Sequence, residues 1–442
     1  MRSLLFLLAA LAASAQTVRV IGYAQDGKTP IEARVAANYT GAGGTLVISG
    51  LDGTPGSAVN ADVVIALANP LKATLRFPPT GVPYKEHAES WTLWRWVQFH
   101  APREITIQGA DAAGLKAALA QVPQAASASR TPQDVARQYA AAYGHDFNQL
   151  TYLPGMALIG QMRLGNVDEV VKLAEPYLTR DTLNRASSLT LAGHQVFAEL
   201  ARRTKDPRYA ALVKKVGDLG FNASGAMNES MPLHGEMSDS FFMAGPITAM
   251  AGSLTGDRKY FGMVAQHFRF MQKLTLRADG LYRHSPLVDT AWSRGNAFPA
   301  LGMALALSEF PQDHPERGYV LGEYQKLMAM LARYQDADGM WHEIIDEEGS
   351  YPETSATAMI ATAMLRGVRL GWLDASYQAR VDRAWKAVLL RANPDGTLLD
   401  VCESTNKMPT REDYLYRAPS TGKDERGGGM LLLFATEMAG LR

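Results

Sequence analysis

The chain has a single cysteine among 442 residues, Cys402, so an internal disulfide and a cysteine-based metal cluster are both excluded. A small buried side chain is the ordinary state of such a residue. An excess of either charge is also missing. Lys plus Arg and Asp plus Glu both number 44, so no basic field points to nucleic acid or an anionic membrane as partner. Beyond the N-terminus no apolar run is long enough to span a bilayer. Several chemical signatures are absent: the Gly-x-Ser-x-Gly of serine hydrolases, a phosphate-binding P-loop, the dinucleotide Gly-x-Gly-x-x-Gly and a His-x-x-x-His metal pair. No cofactor and no metal are predicted.

What is present is apolar material for a large core or two domains, 47% of the residues. MRSLLFLLAALAASAQ sets a basic residue before about ten apolar residues and then small ones, the layout of a cleavable secretory leader over residues 1–15. A secreted or periplasmic protein cut near Ala15 is expected. From residue 16 to about 121 short β-rich runs alternate with turns: TLVIS at Thr45, DVVIAL at Asp62 and EITI at Glu104. WTLWRWVQFH between them has helical spacing, so a small α/β domain is predicted. Residues 122–133, VPQAASASRTPQ, read as a linker. Thr131-Pro132 then supplies a helix N-cap and a proline at the first helical position.

The small domain resembles the front half of zinc carboxypeptidases. VIGYAQDGKTPIEA, TLVISGLDG and DVVIALANP follow in that family's strand order. Where the family has a His-x-x-Glu metal pair, this chain has Asp52-Gly53-Thr54-Pro55, so the resemblance implies a non-catalytic relic. An unrelated α/β domain fits the same residues.

Residues 134–442 change to long amphipathic segments. TKDPRYAALV at Thr204 and TGDRKYFGMV at Thr255 are near copies 51 residues apart, a repeat that divides this region into about six helical hairpins. The prediction is a mainly α protein, a six-hairpin α/α barrel preceded by the small α/β domain, with an open superhelix as the other arrangement. Asp-Gly turns recur at Gly280, Gly339 and Gly396, 59 and 57 residues apart. Regular alternation of hairpins would gather them at one end and carry Tyr282, His284, Trp341, His342 and Asp400 to a common rim. Plugging of the barrel end by those aromatics is the plainer alternative.

In HGEMSDSFFMAGP, a helix opened by Ser238 sets Asp239, Phe242, Met243 and Pro246 on one inward face. Asp239 is then either a first-turn acid or a site residue. In LVDTAWSRGNAF, Trp292 and Arg294 pair an aromatic plate with a guanidinium, a combination suited to a sugar ring bearing a carboxylate. Glu353, before the Ala-rich TSATAMIATAM, is likewise first-turn acid or site residue. No second carboxylate is evident near Asp239, which argues against a glycosidase that needs two flanking acids and for a single general acid/base.

HGEMSDSFFMAGP, LYRHS followed by DTAWSRGNAF, DGMWHEIIDEEGSYPETSATAMIATAM and the closing RGGGMLLLFATEMA, taken in order over residues 135–442, resemble the unsaturated glucuronyl and rhamnogalacturonyl hydrolases, glycoside hydrolase families 88 and 105. The resemblance implies a substrate ending in a 4,5-unsaturated uronic acid, left by polysaccharide lyases. It implies Asp239 as the proton donor to the double bond, His234 and His284 as substrate contacts, and Trp292 and Arg294 as the residues that stack on and grip the uronate. Trp341 and Glu353 complete the expected substrate-binding set. The family's second Asp has no secure match in SSLTLAGHQVFAEL, where His194 or Gln195 stands in its place, and Gly295-Asn296 is followed by Ala297-Phe298 where the family has Gly and then an aromatic. An epimerase, a two-carboxylate glycosidase and a secreted sugar-binding protein without catalysis are the alternatives. The oligomeric state is left open.

Overall fold

The computed structural model describes residues 16–39, 43–57, 59–79, 81–109, 112–119, 129–403 and 406–441. The expected leader and residues 122–128 of the expected linker lie outside them. The chain divides into two compact units, residues 1–124 and 125–442. Among the described residues, no helix is long and apolar enough to cross a membrane.

The first unit is a five-stranded mixed sheet. Its strands are β1 (Gln16–Tyr23), β2 (Pro30–Ala36), β3 (Thr45–Ile48), β4 (Val63–Ile65) and β5 (Glu104–Ile107), in the order β1-β2-β4-β3-β5. β3 runs parallel to both β4 and β5, whereas β2 is antiparallel to its neighbours. Along β2, Ile31, Ala33 and Val35 alternate with exposed residues, as a strand with one face on a core requires. The helix Ala88–His100 packs on β1, and Gly22 permits the approach: a Cβ there would lie 2.2 Å from the Thr92 hydroxyl.

Among the described residues, the second unit is a closed ring of six inner helical elements with six outer helices. The inner elements are Tyr152–Arg163, Ser188–Gly193 continued by Gln195–Thr204, Ser240–Met243 continued by Gly245–Thr255, Ser293–Leu307, Thr354–Arg369 and Glu425–Met438. Each packs on the next, and the sixth packs on the first. That last contact closes the barrel and excludes the open superhelix. The outer helices are Pro132–Ala142, Val167–Ala174, Pro207–Asp218, Lys259–Thr275, Arg317–Arg333 and Tyr377–Leu389. Thr204 and Thr255, the repeated residues, end the second and third inner elements. Thr131 accepts from the Asp134 amide and Pro132 opens the first outer helix, as its sequence signals. A short ribbon of β6 (Leu398–Cys402) and β7 (Pro419–Gly422) lies between the last outer and last inner helices.

The inner helices crowd closely, so small residues sit at their contacts. A Cβ on Gly302 would lie 2.4 Å from the Phe241 carbonyl oxygen and 2.7 Å from the Phe242 amide nitrogen, backbone that cannot swing aside. Gly302→Ala is therefore expected to destabilise the protein by about 1–3 kcal/mol through overpacking. A fall in the denaturant midpoint without a change in slope is the expected result; an unchanged midpoint would show that the third and fourth inner elements separate freely.

Candidate active site

The inner elements all begin on the same side of the barrel, and the first residues of five of them enclose a cavity of about 450 Å³. Tyr152 and Leu153 come from the first element, Ser188 and Leu189 from the second, and Asp239 and Met243 from the third. Trp292, Arg294 and Phe298 come from the fourth, and Asp424, Glu425 and Arg426 from the sixth, with Met237, Asn406 and Lys423 beside them. Because helix N-termini carry unpaired N–H groups and roughly half a positive elementary charge each, this end of the barrel attracts anions.

Asp239 is the N-cap residue of Ser240–Met243, but its side chain makes no capping bond. Its backbone carbonyl accepts from the Phe242 and Met243 amides. Phe242, Met243 and Pro246 are buried beside it, although the helix breaks at Ala244, before Pro246, which has no N–H to donate. The carboxylate oxygen Oδ1 lies 3.3 Å from Nε2 of fully buried His284, close but without the alignment of a hydrogen bond. The other ring nitrogen, Nδ1, is 2.8 Å from the Tyr414 hydroxyl, which accepts from the Met408 amide. The Nδ1 contact occupies one ring nitrogen and leaves Nε2 facing Asp239.

Trp292 packs its ring 4.5 Å from that of His284 and donates Nε1–H to Glu343 at 2.9 Å. The Arg294 guanidinium lies 4.8 Å from the Trp292 ring centre. Its Nη1 donates to the Cys402 carbonyl at 2.7 Å and to the Ser355 hydroxyl at 3.3 Å, and Nη2 donates to the Glu403 carbonyl at 3.0 Å. Three of the five N–H groups of an arginine are thus taken by protein, which leaves Nε–H and one Nη2–H for a ligand.

Other expected site residues lie elsewhere. Trp341 is fully buried, with its indole N–H on the Leu331 carbonyl at 2.8 Å, so it belongs to the core. Glu353 does not reach the cavity, because its carboxylate caps the fifth inner helix: it accepts from the Ser355, Ala356 and Cys402 amides and lies 3.6 Å from Arg294. His234 is half-buried against Phe270, accepts from the Glu236 amide at 2.9 Å, and lies outside the residues lining the cavity. His194 is sealed between Thr182 and the Thr190 carbonyl, and burial pushes it down to about 4. Neither it nor Gln195 lines the cavity, whereas Ser188 of the same segment does. The three Asp-Gly loops do meet: Trp292 bridges to Ile344, and Cys402 lies 3.0 Å from Glu343. Tyr282, His342 and Asp400 are nonetheless not among the residues that line the cavity. His342 bonds Asp336 at 2.8 Å, and Asp400 is 3.5 Å from Arg391.

Sequence reasoning missed the sixth element's contribution. Asp424 caps the last inner helix and is gripped through both oxygens by Arg426. Burial opposes its charge, but the Arg426 bonds and the Ser420 hydroxyl hold its carboxyl below the usual range. The available signal was an Asp three residues before a Gly-Gly-Gly helix start, a capping pattern that conceals a site role. Among the described residues, no three His, Cys, Asp or Glu side chains are placed to hold a metal ion.

The family model described as Glycosyl Hydrolase Family 88 matches residues 161–441, well over half of the chain. The chain belongs to Glycosyl Hydrolase Family 88. Its curated relatives include the unsaturated rhamnogalacturonyl hydrolase YesR of Bacillus subtilis (strain 168). That relative is 29% identical over 209 residues, which are 46% of this chain and 59% of the relative. An unsaturated 3S-rhamnoglycuronyl hydrolase of Alteromonas sp. (strain LOR) is 24% identical over 60% of this chain and 68% of its own length. Among solved structures, a family 105 glycoside hydrolase from C. acetobutylicum ATCC 824 aligns with TM-score 0.60 at 19% identity, covering 70% of this chain and 99% of that one. A family 88 hydrolase from Bacteroides vulgatus aligns with TM-score 0.59 at 17% identity, covering 71% and 100%. These likenesses agree with the α/α barrel of this family 88 member.

The part played by Glu353 is structural and testable. Glu353→Ala strands three backbone amides and the buried Arg294, and is expected to cost about 3–5 kcal/mol, the range for removing one partner of a buried pair. Equilibrium unfolding checks this; a loss below about 1 kcal/mol would mean that water replaces the carboxylate.

Proposed function

We propose that this family 88 protein removes a terminal 4,5-unsaturated uronic acid from lyase-generated oligosaccharides by hydrating the double bond. One observation carries the reading. Of the two largely buried carboxyls that line the cavity, Asp424 is locked to Arg426, whereas Asp239 lies 3.3 Å from His284 and, among the described residues, has no cation bonded to it. Asp239 is therefore the acid assigned as the proton donor.

The double bond of the unsaturated ring is an enol ether. Asp239 donates its proton to C4, the positive charge passes to C5 and the ring oxygen, and water adds at C5 while the Asp239 carboxylate accepts the water proton. The hemiketal then opens, and the neighbouring sugar is released. One residue serves as acid and then as base. The positive N-termini, the remaining N–H groups of Arg294, and Lys423 and Arg426 on the lip suit the uronate carboxylate. Trp292 offers the stacking surface, and His284 orients the acid. His234, Trp341 and Glu353, set apart from the cavity lining, have no direct contact with substrate in this reading. The relatives' names support the substrate class. MRSLLFLLAALAASAQ supports action after export, outside the cytoplasm.

A second reading, the glycosidase with two acids, is kept by Glu425, an exposed cavity-lining carboxyl pushed up by partial burial and by neighbouring Asp146 and Asp424. The experiment follows the ultraviolet absorbance of the conjugated uronate in pectin- and glycosaminoglycan-derived lyase products. Wild type is expected to consume the absorbance of one class. Asp239→Asn is expected to lower kcat by roughly 10²–10⁴-fold while still binding that substrate. Retention of most activity by Asp239→Asn removes this reading, and equal losses from Glu425→Gln and Asp239→Asn on a saturated glycoside move the assignment to the two-acid mechanism.

A further inference from the structure

Beneath the cavity floor lie two buried glutamates that the proposed reaction does not use. Glu353 has the surroundings of a carboxylate: three amide donors, the Ser355 hydroxyl and the Arg294 guanidinium. Glu343 is fully buried in a different setting. Its Oε1 accepts from Trp292 Nε1 at 2.9 Å and from Cys402 Sγ at 3.0 Å, and its Oε2 lies 3.3 Å from the Ser293 hydroxyl, with no cation bonded to it among the described residues. The backbone is engaged as well, because the Glu343 carbonyl accepts the Ser293 amide at 2.8 Å, at the start of the helix that bears Trp292 and Arg294.

We propose that Glu343 is a positioning residue that works as a neutral carboxyl: Oε1 fixes the Trp292 indole, Oε2–H donates to Ser293, and Trp292 thereby holds the His284 ring that faces Asp239. The charged and titratable groups around it are Glu353 on the fifth inner helix, Arg294 on the fourth, Cys402 on β6, Tyr351 before the fifth helix, and Tyr414. Burial first, and then the charge of Glu353, push Glu343 up to about 8, against Arg294 and the bonds from Cys402 and Trp292. Ionisation adds a second negative charge beside Glu353. Movement toward Arg294 or toward water relieves it, and either movement takes the acceptor away from Trp292. As a raised carboxyl, Glu343 keeps its proton below this value and loses it above, so the holding contact is present at neutral pH and lost on the alkaline side.

The kinetic consequence rests on the assignment of Asp239 as acid/base, so two readouts are needed. In the first, kcat/KM of wild type is expected to fall with a midpoint near pH 8. Glu343→Gln keeps an acceptor for Trp292 and an N–H toward Ser293. It is expected to regain most of the activity that Glu343→Leu loses and to lack the alkaline limb. In the second, the Trp292 contribution to near-ultraviolet circular dichroism, taken as wild type minus Trp292→Phe, is expected to titrate with the same midpoint and to be flat in the Glu343→Gln background. This readout needs no turnover and stands if Glu343→Leu does not fold. An alkaline limb and a Trp292 titration that persist unchanged in Glu343→Gln, or their absence from wild type, overturn the proposal. If wild type leaves every unsaturated oligosaccharide intact, the hydration reading fails, and the Trp292 titration alone decides the role of Glu343.

Discussion

A guanidinium buried to 3% exposure sets the terms for the rest of the barrel's active end. A charge taken out of water persists only where acceptors surround it, and those of Arg294 come from three separate stretches of chain. The Cys402 and Glu403 carbonyls belong to the ribbon that follows the third Asp-Gly turn. Ser355 and Glu353 belong to the start of the fifth inner helix, and Trp292 precedes Arg294 on the fourth. The ion therefore welds three loops into one floor. Trp292 and His284, packed in contact above that floor, inherit its position, and Asp239 meets the His284 ring.

The second constraint is directional. A ring of hairpins with every inner element running the same way places the N-terminal ends together, so their dipoles add at one mouth instead of cancelling. The protein answers this field with acids. Glu353 and Asp424 spend their carboxylates on backbone amides and arginines, whereas Asp239, half-buried at the mouth, has no capping duty. The division of labour among chemically similar residues thus follows from what each has already bonded.

The barrel was legible because hairpin repetition is a property of spacing, which a single sequence displays: Thr204 and Thr255 end successive inner elements, and three Asp-Gly turns mark three loops. Asp239, Trp292 and Arg294 were legible as cavity residues for a related reason, since each opens an inner element. Trp341 was misread because residues after a turn alternate between cavity and core, and a one-residue difference in that alternation is invisible without the bridge from His342 to Pro352. Glu353 carried two readings in the sequence, and its bonds select the first-turn acid. Asp424 and Glu343 were not legible. Their neighbours, Tyr152 and Trp292 respectively, reach them only through barrel closure or a loop crossing, contacts that no local pattern encodes.

The electrostatics also bear on why one acid is enough for the proposed hydration of an unsaturated uronate. A mouth lined by helix N-termini, Arg294, Arg426 and Lys423 favours a uronate in the ground state, but the same field opposes the positive charge that protonation creates at C5. Binding strength of that kind gives no acceleration by itself. The proposed proton donor would resolve the conflict, because on releasing its proton Asp239 would place a carboxylate beside the forming cation. A fixed second carboxylate would provide that stabilisation too, but it would also repel the substrate's own carboxylate throughout binding. Asp424, neutralised by Arg426, avoids the repulsion and so cannot supply the stabilisation. In the proposed hydration an acid that becomes a carboxylate only as the cation forms meets both requirements, and Asp239 lines the cavity without a capping duty that would oppose this role.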